Sequence, residues 1–176
     1  MNEKTETNIS SEIGELESVI IHRPGPEVEN MTPVNAERAL YSDILNLSVA
    51  QKEYSRLEAI LEKFAKVHNV KDLLIETLNN SRVKENLLDR ICGKGDICDI
   101  RDYLLEKSRE ELAELLIEGV VMEKNTLTRF LSKERYALPP LHNFFFTRDA
   151  IIPFFDSVLI GKMANNVRER ESIIME

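Results

Sequence analysis

Apolar and polar positions fall into three regimes along the 176-residue chain. Near the start, Glu17 to His22 (E-S-V-I-I-H) is a short β-branched run halted by Arg23-Pro24-Gly25-Pro26, which predicts a buried strand ending in a turn. Thr32-Pro33 then opens a long helical stretch, with threonine as cap and proline at the first helical position. Leu47, Ala50, Tyr54, Leu57, Leu61 and Phe64 recur at helical spacing and form one apolar face, which a loop near His68-Asn69 breaks. Four shorter helices are expected over 70–79, 82–91, 96–106 and 108–118, with Asp96 and Ser108 as N-caps. Ser108-Arg109-Glu110-Glu111 has the capping-box pattern, and Gly119 is placed to close the last helix. From Leu138 the character changes. Pro139-Pro140 ends helix, 143–149 is aromatic-rich and extended, and two apolar runs around Asp156-Ser157 predict a β-hairpin over 151–160. Ser172 to Met175 begins one more element.

Hydrophobic residues make up 43% and charged residues 31%, an ordinary globular composition that can bury a core. The net charge of −8 argues against generic nucleic-acid binding, which needs a basic surface. No apolar run reaches the ~20 residues needed to cross a membrane, and Met1 to Ser10 lacks the apolar core of a signal peptide, so a cytoplasmic location is expected. Cys92 and Cys98 have neither zinc-knuckle nor redox C-x-x-C spacing and read as reduced thiols. Gly93-Lys94-Gly95 lacks the ending of a phosphate loop, and no metal-binding motif is present, so no metal is expected.

The stretch that carries chemistry is Leu141 to Asp149, L-H-N-F-F-F-T-R-D, followed by Asn166 to Glu171, N-V-R-E-R-E. Asn143, Phe146, Arg148 and Asp149 admit two readings. Arg148 and Asp149 can be a surface ion pair at a strand end, which contributes little. Alternatively they floor a pocket, where an aspartate clamps a guanidinium through paired hydrogen bonds and an aromatic stacks on the same cation. Arg168 and Arg170 are likewise either a solvated charged segment or a bidentate grip on a carboxylate, a task lysine does less well. His22 and His68 read as structural. His142 lies near enough to act as a base, although the sequence shows no group to orient it.

These residues carry a resemblance. His22-Arg23-Pro24-Gly25 followed by Thr32-Pro33 resembles the H-R-P-G…L-T-P opening of arginine deiminases, and Ala39 to Ile44 resembles their L-L-F-D-D-I segment. Leu115 to Val120 is similar to the end of that family's helical insert. Asn143-x-x-Phe146-Thr147-Arg148-Asp149 is similar to N-L-Y-F-T-R-D, and Val167 to Ser172 to V-R-x-R-E-T, in the same order from about residue 12 onward. The resemblance implies an α/β fold, a partial pentein (a fan of ββαβ modules) with an inserted helical bundle, in a chain that reads as truncated. The implied division is a flexible leader at 1–12, the first strand and turn at 13–32, a helical region at 33–137 and a return to pocket strands at 138–176.

The implied activity is hydrolysis of L-arginine to L-citrulline and ammonia, without metal or cofactor, by covalent cysteine catalysis assisted by a histidine. By the same resemblance Asp149 is catalytic and binds the guanidinium, and Arg168 binds the substrate carboxylate. Asn143 assists at the carboxylate, Phe146 packs on the guanidinium, Arg148 belongs to the binding set and Asp43 borders the entrance. Two departures stand out. Ser42 replaces the first of two family aspartates, which leaves amidinotransferases and other guanidine hydrolases open. The glycine-rich G-x-H-C segment carrying the nucleophile is not in these 176 residues, so the chain by itself is expected to be inactive. A non-catalytic binding protein or split subunit also remains open, with a second copy or a partner chain completing the sheet.

Overall fold

The first strand, β1 (Ser18–Ile21), forms at the β-branched run and pairs in parallel with β2 (Lys66–Asn69), Ser18 facing Lys66 and Ile21 facing Asn69. The computed structural model describes residues 7–30, 45–93, 100–124, 135–164 and 168–176. A parallel pair needs a long crossover, and part of it is α1 (Pro26–Glu29) and α2 (Leu47–Leu61). The expected helix start at Thr32-Pro33 and the cap Asp96 lie outside the described residues.

Two expectations for this region are corrected. His68 and Asn69 are not a loop but the end of β2, because β1 supplies the backbone partners that the local sequence cannot reveal. The apolar face read off α2 holds at Leu47, Ala50, Tyr54 and Leu61, which are partly buried, but not at two of its positions. Leu57 is 48% exposed and Phe64 73%, while Glu58 is turned inward. Arg23 accounts for the inward Glu58: its Nε donates to Glu58 Oε1 and Oε2 at 2.9 and 2.7 Å, tying the helix to the turn after β1.

The core is built by α3 (Val70–Thr77), α4 (Ser81–Gly93), α5 (Arg101–Leu105) and α6 (Arg109–Glu118). Leu74, Leu88, Leu104, Leu112 and Leu116 from these helices pack with Leu138, Leu141, Phe144 and Ile173. The capping box at α6 is present in full: Ser108 Oγ accepts from the Glu111 amide, and Glu111 accepts from the Ser108 amide. Gly119 follows with φ at 89°, and a Cβ there would sit 2.7 Å from the Leu138 carbonyl oxygen, so both backbone and space demand glycine. Its left-handed step sends the chain into β3 (Val120–Val121), antiparallel to β4 (Tyr136–Leu138). Pro139-Pro140 therefore ends a strand and not a helix.

Residues 143–149 are not extended either. A turn over Asn143 to Phe146 leads into the short α7 (Thr147–Ala150). Beyond it β5 (Ile151–Phe154) and β6 (Ser157–Ile160) form the predicted antiparallel hairpin, Phe154 opposite Ser157. Ile9, in the polar leader, exchanges backbone hydrogen bonds of 3.0 and 2.8 Å with Phe155. The last element is α8 (Glu169–Met175). Among the described residues the chain is thus a mixed α/β fold with three two-stranded sheets, and none of its helices is long and apolar enough to cross a membrane.

Replacing Leu116, which is fully buried, with alanine is expected to cost about 2–5 kcal/mol of unfolding free energy. Leu57→Ala, on the exposed face of α2, is expected to change it by less than ~0.5 kcal/mol. Urea denaturation of both variants checks that Leu57 faces outward; a large loss for Leu57→Ala would contradict it.

Candidate functional site

Two apolar anchors set the geometry of the signature segment. Leu141 and Phe144 are buried in the helical core and fix the turn between them. Inside the turn the Phe144 amide donates to the Leu141 carbonyl, that of Phe146 to Asn143, and that of Asp149 to Phe146. His142 and Asn143 are carried inward with the anchors, whereas Phe146 and Asp149 are left half exposed. A second set of contacts joins this turn to the start of the chain. His142 Nδ1 donates to the Glu27 carbonyl, the His22 ring lies 4.9 Å from the Phe144 ring, and Thr147 Oγ1 donates to the Ile20 carbonyl at 3.2 Å. His142 therefore has its orienting partner, on α1, which sequence reading could not supply.

The site itself is an arginine held between two acids. Arg168, at the start of α8, donates from Nη1 to Asp149 Oδ2 at 2.6 Å. On its other edge Nε and Nη2 reach Glu171 Oε2 at 3.0 and 2.8 Å, and Nη2 lies 3.5 Å from the Asn143 carbonyl oxygen. Burial opposes the charge on Arg168, but the hydrogen bonds it donates to Glu171 and Asp149 hold its pKa above the ordinary value. Glu171 is almost wholly buried, and desolvation raises its carboxyl pKa above the usual 4.5 against the pull of Arg168. Sequence reading passed over Glu171 as part of a charged run. The signal was there, since Arg168 and Glu171 are three apart and share one side of a helix.

The two candidate arginines of that run part company. Arg170 turns to the Pro139 carbonyl oxygen, and burial pushes its pKa down to about 9, which still leaves it cationic at neutral pH. Arg148 likewise points away from Asp149 and pairs with Glu12, both side chains 71% exposed. Phe146 stacks against Phe145, ring centroids 4.3 Å apart. Asp43 lies outside the described residues. Of the six predicted site residues, the structure brings together Asn143, Asp149 and Arg168, with Phe146 one turn away on the backbone.

These positions now coincide with a known family. Residues 37–176 match the family model described as arginine deiminase. The chain belongs to the arginine deiminase family. A protein named arginine deiminase from Bacillus cereus (strain B4264) is 34% identical over 183 residues, covering 96% of this chain and 45% of the relative. One from Listeria innocua is 33% identical over 182 residues and one from Bacillus cytotoxicus 31% over 183, with the same coverage. The chain thus spans about half the length, 45%, of the curated relatives it matches.

Elsewhere the surface carries a polar cleft of about 210 Å³ lined by His22, Arg23, Glu27, Lys71, Asp72 and Glu118 among others. Its lysine is already paired: Lys71 bridges Glu114 at 3.0 Å and Glu118 at 3.7 Å. Among the described residues no group of three or more His, Cys, Asp or Glu is arranged to hold a metal ion. Cys92 is a buried cysteine on α4, and Cys98 lies outside the described residues.

The raised pKa of Glu171 has a measurable consequence. A carboxyl raised by folding stabilises the fold while protonated, below its ordinary value, and that contribution is lost as pH rises through the folded value. The unfolding free energy of wild type minus that of Glu171→Gln is expected to shrink as pH rises from ~4 toward neutral. Urea titrations at several pH values test this. A difference that grows with pH would mean that the Arg168 contact outweighs desolvation.

Proposed function

We propose that this chain carries the guanidine-holding part of an arginine-deiminase-like hydrolase. The reaction converts L-arginine and water to L-citrulline and ammonia. A thiolate adds to the guanidinium carbon, ammonia leaves, and water then releases citrulline and restores the thiolate. In this reading Asp149 binds the substrate guanidinium and Arg168 its carboxylate, with Asn143 assisting at the carboxylate end and Phe146 packing on the guanidinium. Asp43 borders the entrance. The thiolate and the proton-shuttling histidine come from outside these 176 residues, and the whole forms a pentein fan with the helical bundle inserted. No cofactor enters the chemistry. The observation that supports the reading most directly is that Asp149 already binds a guanidinium, that of Arg168, at 2.6 Å. A carboxylate that pairs with one planar fork is suited to pair with another.

The test supplies what the chain lacks. It is combined with the part of the Bacillus cereus relative that it does not cover, and citrulline is assayed from L-arginine. Citrulline is expected from the combination and none from the 176-residue chain by itself. In the combination Asp149→Ala is expected to lower kcat/KM on the order of 10²-fold or more, as for loss of a preorganised charge contact. Near-normal turnover would remove Asp149 from the mechanism, and citrulline from the short chain would remove the outside thiolate.

One observation favours a second reading beside the first, in which a second copy or a partner chain covers the sheet. Both faces of the β5–β6 hairpin are exposed and apolar: Phe154 is 56% exposed and Leu159 55%, with Ile152, Phe155, Val158 and Ile160 close behind. Exposed apolar strands with open edges invite pairing. Light scattering of the isolated chain is expected to show a dimer or larger species, and the double variant Phe154→Asp, Leu159→Asp a monomer. A monomeric wild type would count against this reading.

A further inference from the structure

The pairing of Arg168 with Asp149 sets a geometric conflict. If Asp149 takes the guanidinium of an arginine and Arg168 its carboxylate, the two residues grip opposite ends of the same molecule. Five bonds separate the α-carbon of arginine from its guanidinium carbon, an extended span of roughly 6 Å. Yet Arg168 Nη1 and Asp149 Oδ2 are 2.6 Å apart. Both cannot hold substrate while they hold each other, so one of them has to move.

The surroundings show which one. Arg168 is only 13% exposed in its side chain and is gripped along its Nε–Nη2 edge by a carboxylate that is 1% exposed. Releasing that edge would leave Glu171 charged and buried with no partner, the most costly arrangement for an acid. Asp149, by contrast, is 50% exposed in its side chain, and water can replace its contact at little cost. The donor count agrees. Of the five guanidinium N–H groups, Glu171 takes Nε–H and one on Nη2, and the other Nη2 hydrogen faces the Asn143 carbonyl. Once Asp149 lets go, both hydrogens of Nη1 are free for a carboxylate.

We infer that Glu171 is the positioning residue that presents Arg168, and that the Arg168–Asp149 contact is a resting pair that opens when a guanidino acid enters. Glu171 holds the arginine in place, and Asp149 exchanges its internal guanidinium for that of the ligand. The inference rests on the reading of Asp149 and Arg168 as the two ends of the substrate site.

The test uses the 176-residue chain, isotope-labelled, with the Arg168 side-chain Nε–H signal assigned by Arg168→Lys and its exchange with water measured. Glu171→Gln is expected to speed that exchange by about tenfold or more, and Asp149→Asn by less than about twofold, because the buried charge-assisted bonds are the stronger set. Methylguanidinium is expected to shift the Asp149 amide without speeding Nε–H exchange. Acetate is expected to bind Asp149→Asn about tenfold more tightly than wild type, since a neutral amide oxygen competes for Nη1 far less than a carboxylate does. Unchanged Nε–H exchange in folded Glu171→Gln overturns the positioning role. If Glu171→Gln does not fold, exchange in Asp149→Asn decides, and a tenfold rise there overturns it. Equal acetate affinity in the two proteins overturns the resting pair. If methylguanidinium does not bind but the variants behave as expected, the positioning role and the resting pair stand and only the substrate assignment fails.

Discussion

A carboxylate buried to the extent of Glu27, 1% exposed, must be answered by partners, and the answers it receives tie the molecule together. Its Oε1 accepts from the Gly25 amide at 2.7 Å and meets His22 Nε2 at 3.1 Å, which closes the turn after β1. Its backbone carbonyl accepts from His142, 115 residues later. One residue of a four-residue helix thus joins the first strand to the turn that carries Asn143 and Asp149. The H-R-P-G segment is part of this bridge: His22 meets the carboxylate, Arg23 takes Glu58, and Pro24 and Gly25 make the turn that lets Glu27 fold back. The segment lies far in sequence from Asp149, and its part is to fix where the signature turn sits.

What could be read from the sequence was whatever a few neighbouring residues decide. The capping box at Ser108, the glycine at 119 and the hairpin over 151–160 are local chemistry and lie where the sequence places them, the hairpin turn at Phe155-Asp156 one residue before the expected Asp156-Ser157. What could not be read depends on partners distant along the chain. His68-Asn69 looks like a helix break until β1 is present to pair with it. On α2 the Arg23 contact turns Glu58 inward, while Leu57 and Phe64 of the expected apolar face lie outside. The aromatic run at 144–146 suggests a strand by composition. Burial of Leu141 and Phe144, three residues apart, closes a turn instead.

The site divides in the same way. Asn143, Asp149 and Arg168 were legible because they stand in a recognisable signature, and the structure brings them together. Glu171 was not, although it makes three hydrogen-bond contacts with Arg168, because an acid in a run of alternating charges looks like a solvated face. Its three-residue spacing from Arg168 is shared by many solvated pairs, and burial is what sets it apart. Arg148 shows the opposite case. It stands in the signature beside Asp149, but successive residues on a short helix point apart, and its partner is Glu12.

The exposed hairpin and the site are not independent features. Asp149 and Ala150 lead straight into β5, and the chain returns from β6 so that the Gly161 amide donates to the Ala150 carbonyl at 2.8 Å. At Gly161 a Cβ would collide with the Asp149 carbonyl oxygen, so this return path runs against the backbone of the acid itself. The hairpin is therefore an extension of the frame that holds Asp149. On the side toward the core that frame is rigid, anchored through Leu141 and Phe144. Toward β5 and β6 it is backed mainly by exposed apolar strands. Whatever covers those strands, a further segment of chain or another molecule, would order the outer half of the frame and with it the half-exposed carboxylate. On the proposed readings, docking at the hairpin and guanidinium binding at Asp149 would share a few residues of backbone, a physical basis for coupling between them.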